Sequence, residues 1–175
     1  MLVILFLFLT VQSVSAQEIS LAVSPTPSPV MYSLPYPGIM PGHPFFFLKT
    51  IRDSIWGFLI TNSLKKAEFD LLQTDKYIVI SQSLFDRKTA TTKVLSSLDL
   101  ALDYYTNAIV KVSEARKQGI DTKEFVQQLF LANEKHQEIV SGMKATAKGE
   151  DQKLYAARLE TLKELGKKVQ AFQRK

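Results

Sequence analysis

His43 and His136 are the two histidines of this chain, and it has no cysteine. They are therefore its only nitrogen or sulfur side chains of the kind that hold transition metals and titrate near neutral pH. His136 falls on the apolar side of a helical pattern, between Glu134 and Glu138. One chemical reading makes it a metal ligand with Glu134 or Glu138. The plainer reading is a histidine at the edge of a core, with one ring nitrogen hydrogen-bonded. A carboxylate-bridged metal bundle takes Glu-x-x-His on two helices, and neither histidine here has a glutamate three residues before it. His43 precedes Pro44 and reads as a helix N-cap or as a surface residue at a turn. Asp99 and Asp103 are spaced i,i+4, a spacing that suits acid–base work. No candidate nucleophile accompanies them, so they read as a polar helix edge. Ser81, Ser83, Ser96 and Ser97 lack the context of a nucleophile elbow. The seven glycines are scattered and form no phosphate loop. The expectation is no catalytic residue, no metal, no cofactor and no identifiable small-molecule substrate. A metal-dependent enzyme is the competing class.

Helices must position these residues. Pro44 suits a first helical position, and a short helix is expected over 44–60. Its apolar stripe is Leu48, Ile51, Ile55, Phe58 and Leu59, with Phe45, Phe46, Phe47 and Trp56 outside that stripe. Lys49, Arg52 and Asp53 interrupt it too often for a membrane span. A second helix is expected over 63–85, capped by Asn62, with Leu64, Ala67, Leu71, Ile78 and Phe85 on one face. Tyr77-Ile78-Val79-Ile80 has strand propensity, yet the 3.6-residue period runs through it and no turn residue brackets it. The third helix, over 91–118, carries the strongest pattern: Leu95, Leu98, Leu102, Tyr105, Ile109 and Val112, widened by Val94, Ala101, Ala108 and Ala115. Gly119 is expected to end it in a left-handed conformation. The fourth helix opens on Asp121 and Glu124 as a capping box, with Ile120 and Phe125 as a hydrophobic staple. Its stripe is Phe125, Leu129, Ala132, His136, Ile139 and Met143, and it ends near Gly149. The fifth has Glu150 and Asp151 in its first turn, where the dipole favours acids, and Leu154, Leu162, Leu165, Val169 and Phe172 on its apolar side.

The joints are short, so consecutive helices should run antiparallel. The expected fold is all-α: an up-down bundle of four long helices plus one short apolar N-terminal helix. The alternative is a tetratricopeptide-like helical-hairpin array. Leu102-Asp103-Tyr104-Tyr105-Thr106-Asn107-Ala108 resembles half of such a unit, but the tryptophan-bearing half is missing and nothing recurs.

Met1 to Val11 is an apolar run followed by Val14-Ser15-Ala16, small residues spaced like a signal-peptidase site. The run is too short for a spanning helix, which needs about twenty residues. Residues 1–16 are read as a signal peptide cut between Ala16 and Gln17. An uncleaved tether is the competing reading, because no Lys or Arg precedes the run. Residues 17–43 form a proline-rich linker containing Ser-Pro-Thr-Pro-Ser-Pro, whose second half has apolar residues that suit packing on the domain. Residues 44–175 form the helical domain. An exported, extracytoplasmic chain without cysteine has no disulfide framework and relies on packing.

The chain carries a formal net charge of +5. From Lys144 to Lys175 there are nine Lys or Arg against four acids. Such a basic helix can meet an anionic envelope surface, whether lipid headgroups or cell-wall polymer. As a plain solvated face it would show pairs such as Glu164–Lys168 and Glu160–Lys163. Nucleic acid is not an expected partner for an exported chain whose basic helix has few interleaved aromatics.

Leu34-Pro35-Tyr36-Pro37-Gly38-Ile39-Met40-Pro41-Gly42-His43-Pro44-Phe45-Phe46-Phe47-Leu48-Lys49 is followed by Phe58-Leu59-Ile60, then Lys65-Lys66-Ala67-Glu68-Phe69, then Asp75-Lys76. Over about residues 34–85 this resembles an uncharacterised family of exported bacterial proteins, numbered 5667 among the domains of unknown function. That family has a proline-rich lead, Pro-x-x-Tyr/Phe-x-x-Lys, a short apolar helix, a Lys-Ala-Glu-like helix and a Lys-Arg pair. The chain departs from it at Gly42, where an acid or small polar residue is usual, and at Tyr77, where a basic one is. The resemblance implies an exported, all-helical protein and is silent on activity.

The aromatic residues of the first helix exceed what one buried face requires. The expectation is a helix buried on most sides by the later helices and the linker. The competing reading is an interfacial membrane helix or a docking surface. Phe45, Phe46, Trp56, Lys153, Lys163, Lys167 and Lys168 are the candidate interaction surface. The expected function is an extracytoplasmic helical binding or structural module, with an unidentified protein or an anionic envelope surface as partner. In the alternative, a membrane or the cell wall is bound through helix 150–175 and helix 44–60 together.

Overall fold

Asn62 accepts the Lys65 N–H through its side-chain oxygen at 3.0 Å and starts the first of four long helices. The computed structural model describes residues 30–174. The expected signal segment, its cleavage point at Ala16 and Gln17, and the linker residues 17–29 lie outside the described residues. The helices are α1 (Phe46–Leu59), α2 (Ser63–Asp86), α3 (Thr91–Lys117), α4 (Lys123–Thr146) and α5 (Gly149–Gln173). The described residues contain no strand, and Tyr77-Ile78-Val79-Ile80 lies in mid-α2. Tertiary packing and an unbroken helical period override the local strand preference there.

Two different left-handed turns end α2 and α3. After α3, Gly119 has φ +76°, with its N–H on Arg116 O at 3.0 Å and the Ile120 N–H on Ala115 O at 3.0 Å. After α2, Lys88 takes the same role at φ +53°, with its N–H on Phe85 O at 2.8 Å and the Thr89 N–H on Leu84 O at 3.0 Å. Both are Schellman closures that satisfy carbonyls at the helix end. The capping box expected before α4 does not form. Asp121 Oδ1 instead accepts the Lys123 N–H at 3.0 Å, a local turn that starts the helix one residue later. The Thr122 hydroxyl is taken by Arg116 Nε at 2.8 Å.

The helices α2 and α3 pack along one another, as do α4 and α5; between these hairpins α2 meets α4 and α3 meets α5. Thr91 at the start of α3 donates to Asp151 at the start of α5 at 2.7 Å, so those two helices run the same way. Each of the two core clusters draws residues from all four long helices. The α3 stripe is buried almost as its spacing predicts, with Leu102 only half-buried. On α5 the expected Leu154 faces solvent, and Tyr155 and Leu159 take its place in the core. α2 is buried on several sides, and its interior includes Asp70, Gln73, Thr74, Asp75 and Ser81.

α1 departs most from expectation. Its inward row is Phe46, Lys49, Asp53, Gly57 and Ile60, spaced three and four apart, and its one buried residue is Lys49 at 7% exposed. The apolar stripe Leu48, Ile51, Ile55, Phe58 and Leu59 is exposed, with Phe58 at 87%. The expectation of a buried first helix is therefore overturned: the helix docks by the mixed row that holds Lys49 and Asp53. Gly57 permits that approach. A Cβ there would come within 2.8 Å of Lys66 Nζ and 3.2 Å of the Phe69 ring.

Candidate functional site

His136 is fully buried, and its Nε2 lies 2.7 Å from Asp75 Oδ1 on α2. An ionised carboxylate only accepts, which places the ring proton on Nε2. The other Asp75 oxygen accepts the Tyr32 hydroxyl at 2.7 Å. Burial, followed by the neighbouring Asp75 charge, holds the Tyr32 phenol well above its usual range. Tyr105 meets the imidazole edge-on at 5.9 Å between centroids, and its hydroxyl donates to Leu129 O at 2.8 Å. His136 Nδ1 is buried without a hydrogen-bond partner.

A Tyr–Asp–His chain resembles an acid–base relay in composition, but its far end is a ring nitrogen sealed in the core. What it does is mechanical. It ties α4 to α2 and pins the extended strap, residues 30–45, across both. The strap is held again where Val30 N–H meets Glu138 Oε2 at 3.4 Å and where Lys49 Nζ donates to Pro37 O at 3.0 Å.

The metal reading of His136 with Glu134 or Glu138 is corrected by this geometry. Residues two apart on a helix point to different sides. Glu138 pairs outward with Lys135 at 2.7 Å, and Glu134 is exposed. Among the described residues no three His, Cys, Asp or Glu side chains converge. His43 is an exposed turn residue whose Nδ1 accepts the Phe45 N–H at 3.2 Å. Asp99 accepts a two-pronged contact from Arg158, at 3.0 and 2.9 Å, that fastens α3 to α5. Asp103 is exposed.

The candidate surface residues fall into two separate groups. Phe45, the residue before α1, and Trp56 on α1 are exposed, and Phe46 is half-buried. Lys49 stands over the Phe46 and Tyr77 rings at 5.6 and 5.8 Å, fixing the helix on α2. Burial lowers the Lys49 pKa, with Asp53 opposing the shift. The basic residues lie elsewhere. Lys163 and Lys167 line an open groove of about 1030 Å³ between α4 and α5. Lys153, Lys163 and Lys167 are each paired, at 2.7 Å, with Glu150, Glu160 and Glu164 three residues earlier. Lys168 is exposed, and Glu164 pairs with Lys167 in place of the expected Lys168. α1 packs on α2, whereas Lys163 and Lys167 stand in the α4–α5 groove.

Sequence reasoning missed Asp75, Tyr32 and the inward role of Lys49. A signal for Asp75 was present: residues 71, 75 and 78 share one helical face, and the gap in that apolar stripe holds the carboxylate. No family model, curated protein or solved structure matches this chain, so the resemblance over residues 34–85 is neither supported nor contradicted.

Proposed function

We propose that this protein is a non-catalytic helical binding module of the extracytoplasmic space, and that its working surface is the outward face of α1. On this reading the four long helices, two antiparallel hairpins packed side by side with α2 on α4 and α3 on α5, serve as a rigid scaffold, and the strap and α1 are what the scaffold presents. One observation carries the proposal. Phe45, Phe47, Leu48, Ile51, Ile55, Trp56, Phe58 and Leu59 are all exposed, on a helix whose mixed row faces the protein. Together they leave roughly 800 Å² of apolar surface open, where a monomer's largest patch is usually about 300–600 Å². A helix kept for its contribution to the core would have the opposite orientation.

The test is thermodynamic. Replacing both Ile55 and Phe58 with Asp removes apolar surface that does not support the bundle. The unfolding free energy should stay within about 0.5 kcal/mol of wild type, as for ordinary surface changes. A loss of about 3 kcal/mol or more, the cost of a core truncation, would show that the face is part of the core and end the proposal.

A further inference from the structure

We infer that the occupant of the α1 face is the headgroup–acyl boundary of an anionic lipid bilayer, with the helix lying flat in it. This inference rests on the α1 reading above and adds the chemistry of the partner. The first support is shape. α1 has 14 residues, about 21 Å at 1.5 Å per residue, and its exposed apolar side chains run from one end to the other. They form a raised row, which suits a flat apolar boundary better than a pocket. No described helix is long and apolar enough to cross a membrane, so the geometry is that of a helix lying on the surface.

The second support is residue type. Phe45, Phe47, Trp56 and Phe58 share the exposed side with Leu48, Ile51 and Ile55. Rings together with aliphatic chains on one side are what helices lying in the headgroup–acyl boundary carry. Tyr36, 84% exposed, adds a further amphipathic ring one residue from Pro37, whose carbonyl holds Lys49.

The third support is charge. The exposed charge on α1 is the cation Arg52; the helix's one carboxylate, Asp53, is turned inward and lies 2.8 Å from Arg52. With Lys49 and Arg52 against Asp53 the helix carries a net charge of +1, so a second copy of the chain across a two-fold axis would set like charges against each other. No exposed carboxylate on α1 would answer them. A layer of anionic headgroups does answer them.

Trp56 is the only tryptophan of the chain, so its fluorescence reports from this helix, and the Ile55 and Phe58 variant separates binding through this face from binding through another part of the chain. The full chain is titrated with phosphatidylcholine vesicles, alone and mixed with phosphatidylserine. The expected result is a blue shift of Trp56 and quenching by brominated acyl chains with the anionic vesicles, weaker with neutral ones and weaker in high salt. Ile55→Asp with Phe58→Asp should lower the apparent affinity by about tenfold or more. Lys163→Glu with Lys167→Glu, in the α4–α5 groove, should leave the shift in place. Circular dichroism confirms that both variants are folded. No shift with either vesicle, or an equal shift with both, overturns the anionic-bilayer assignment. A free-chain emission that is already blue and reddens on dilution also overturns it, in favour of self-association, and leaves α1 as the working surface. A blue emission that persists in the diluted monomer removes the α1 reading as well.

Discussion

Asp75 and His136 lie sixty-one residues apart in the chain and 2.7 Å apart in the core, joining the middle of α2 to the middle of α4. The pair is almost wholly buried, and Tyr32 extends it to the strap. Removing one partner leaves the other desolvated and uncompensated. His136→Ala should therefore cost about 3–5 kcal/mol in chemical denaturation. Asp75→Asn keeps the shape and an acceptor for the Nε2 proton, and should cost only about 1–2 kcal/mol. A loss below about 0.5 kcal/mol for Asp75→Asn would mean that packing of the imidazole, not its hydrogen bond to Asp75, dominates this contact.

Gly166 sets how closely α5 approaches α4. A Cβ at this position would clash with the Asn133 side-chain oxygen. Asn133 itself donates to Leu162 O at 3.0 Å. Gly166→Ala should push the helices apart and cost about 1–3 kcal/mol. Gly142 is also in mid-helix, but nothing lies near its missing Cβ. Gly142→Ala should raise stability by about 0.5–1 kcal/mol. Thermal unfolding of the two variants should show opposite signs, and a shared sign would contradict the account of the α4–α5 contact.

Lys88 holds the left-handed position that glycine holds after α3. A side chain there is strained, at a cost of roughly 1 kcal/mol. Lys88→Gly should raise the melting temperature by a few degrees. A lower melting temperature would show that the Lys88 side chain makes a stabilising contact that outweighs its backbone.

Asp70 is buried, with one oxygen 3.5 Å from Lys66 Nζ and the other without a partner. Burial raises its pKa, and Lys66 opposes the shift only in part. The folded state thus holds this proton more tightly than the unfolded chain does. The resulting cost grows as pH climbs from the unfolded carboxylate value, about 3.9, through the raised folded value, and then stays constant. Asp70→Asn should be more stable than wild type at neutral pH, with the gain vanishing near pH 3. A variant less stable at pH 7 would mean that the Lys66 pairing outweighs the burial.

Much of this structure was legible in the sequence, and the gaps have physical causes. The α3 stripe, the Asn62 cap and the Gly119 turn were read because each depends on neighbours within a few residues. Lys88 could not be read, because lysine carries no preference for a left-handed turn; the short joint imposes it. Leu154 was misplaced by one residue, since Tyr155 and Leu159 compete for the same face and only the docking of α5 on α3 and α4 chooses between them. Asp75 and His136 each occupy an apolar stripe, but their pairing is long-range and has no local signature. The direction of α1 was beyond reach for the same reason. Periodicity says that Leu48, Ile51, Ile55 and Leu59 share a side; it does not say whether that side meets the protein or the solvent.

α1 holds its apolar face open in the free protein, and quenching of Trp56 by a neutral aqueous quencher reads that exposure without a partner present. Trp56 is 58% exposed. In a chain shown to be monomeric by light scattering, the indole should emit as a solvated ring and be quenched readily, and Ile55→Asp should change neither property. A blue-emitting indole that the quencher cannot reach in that monomer would contradict the account.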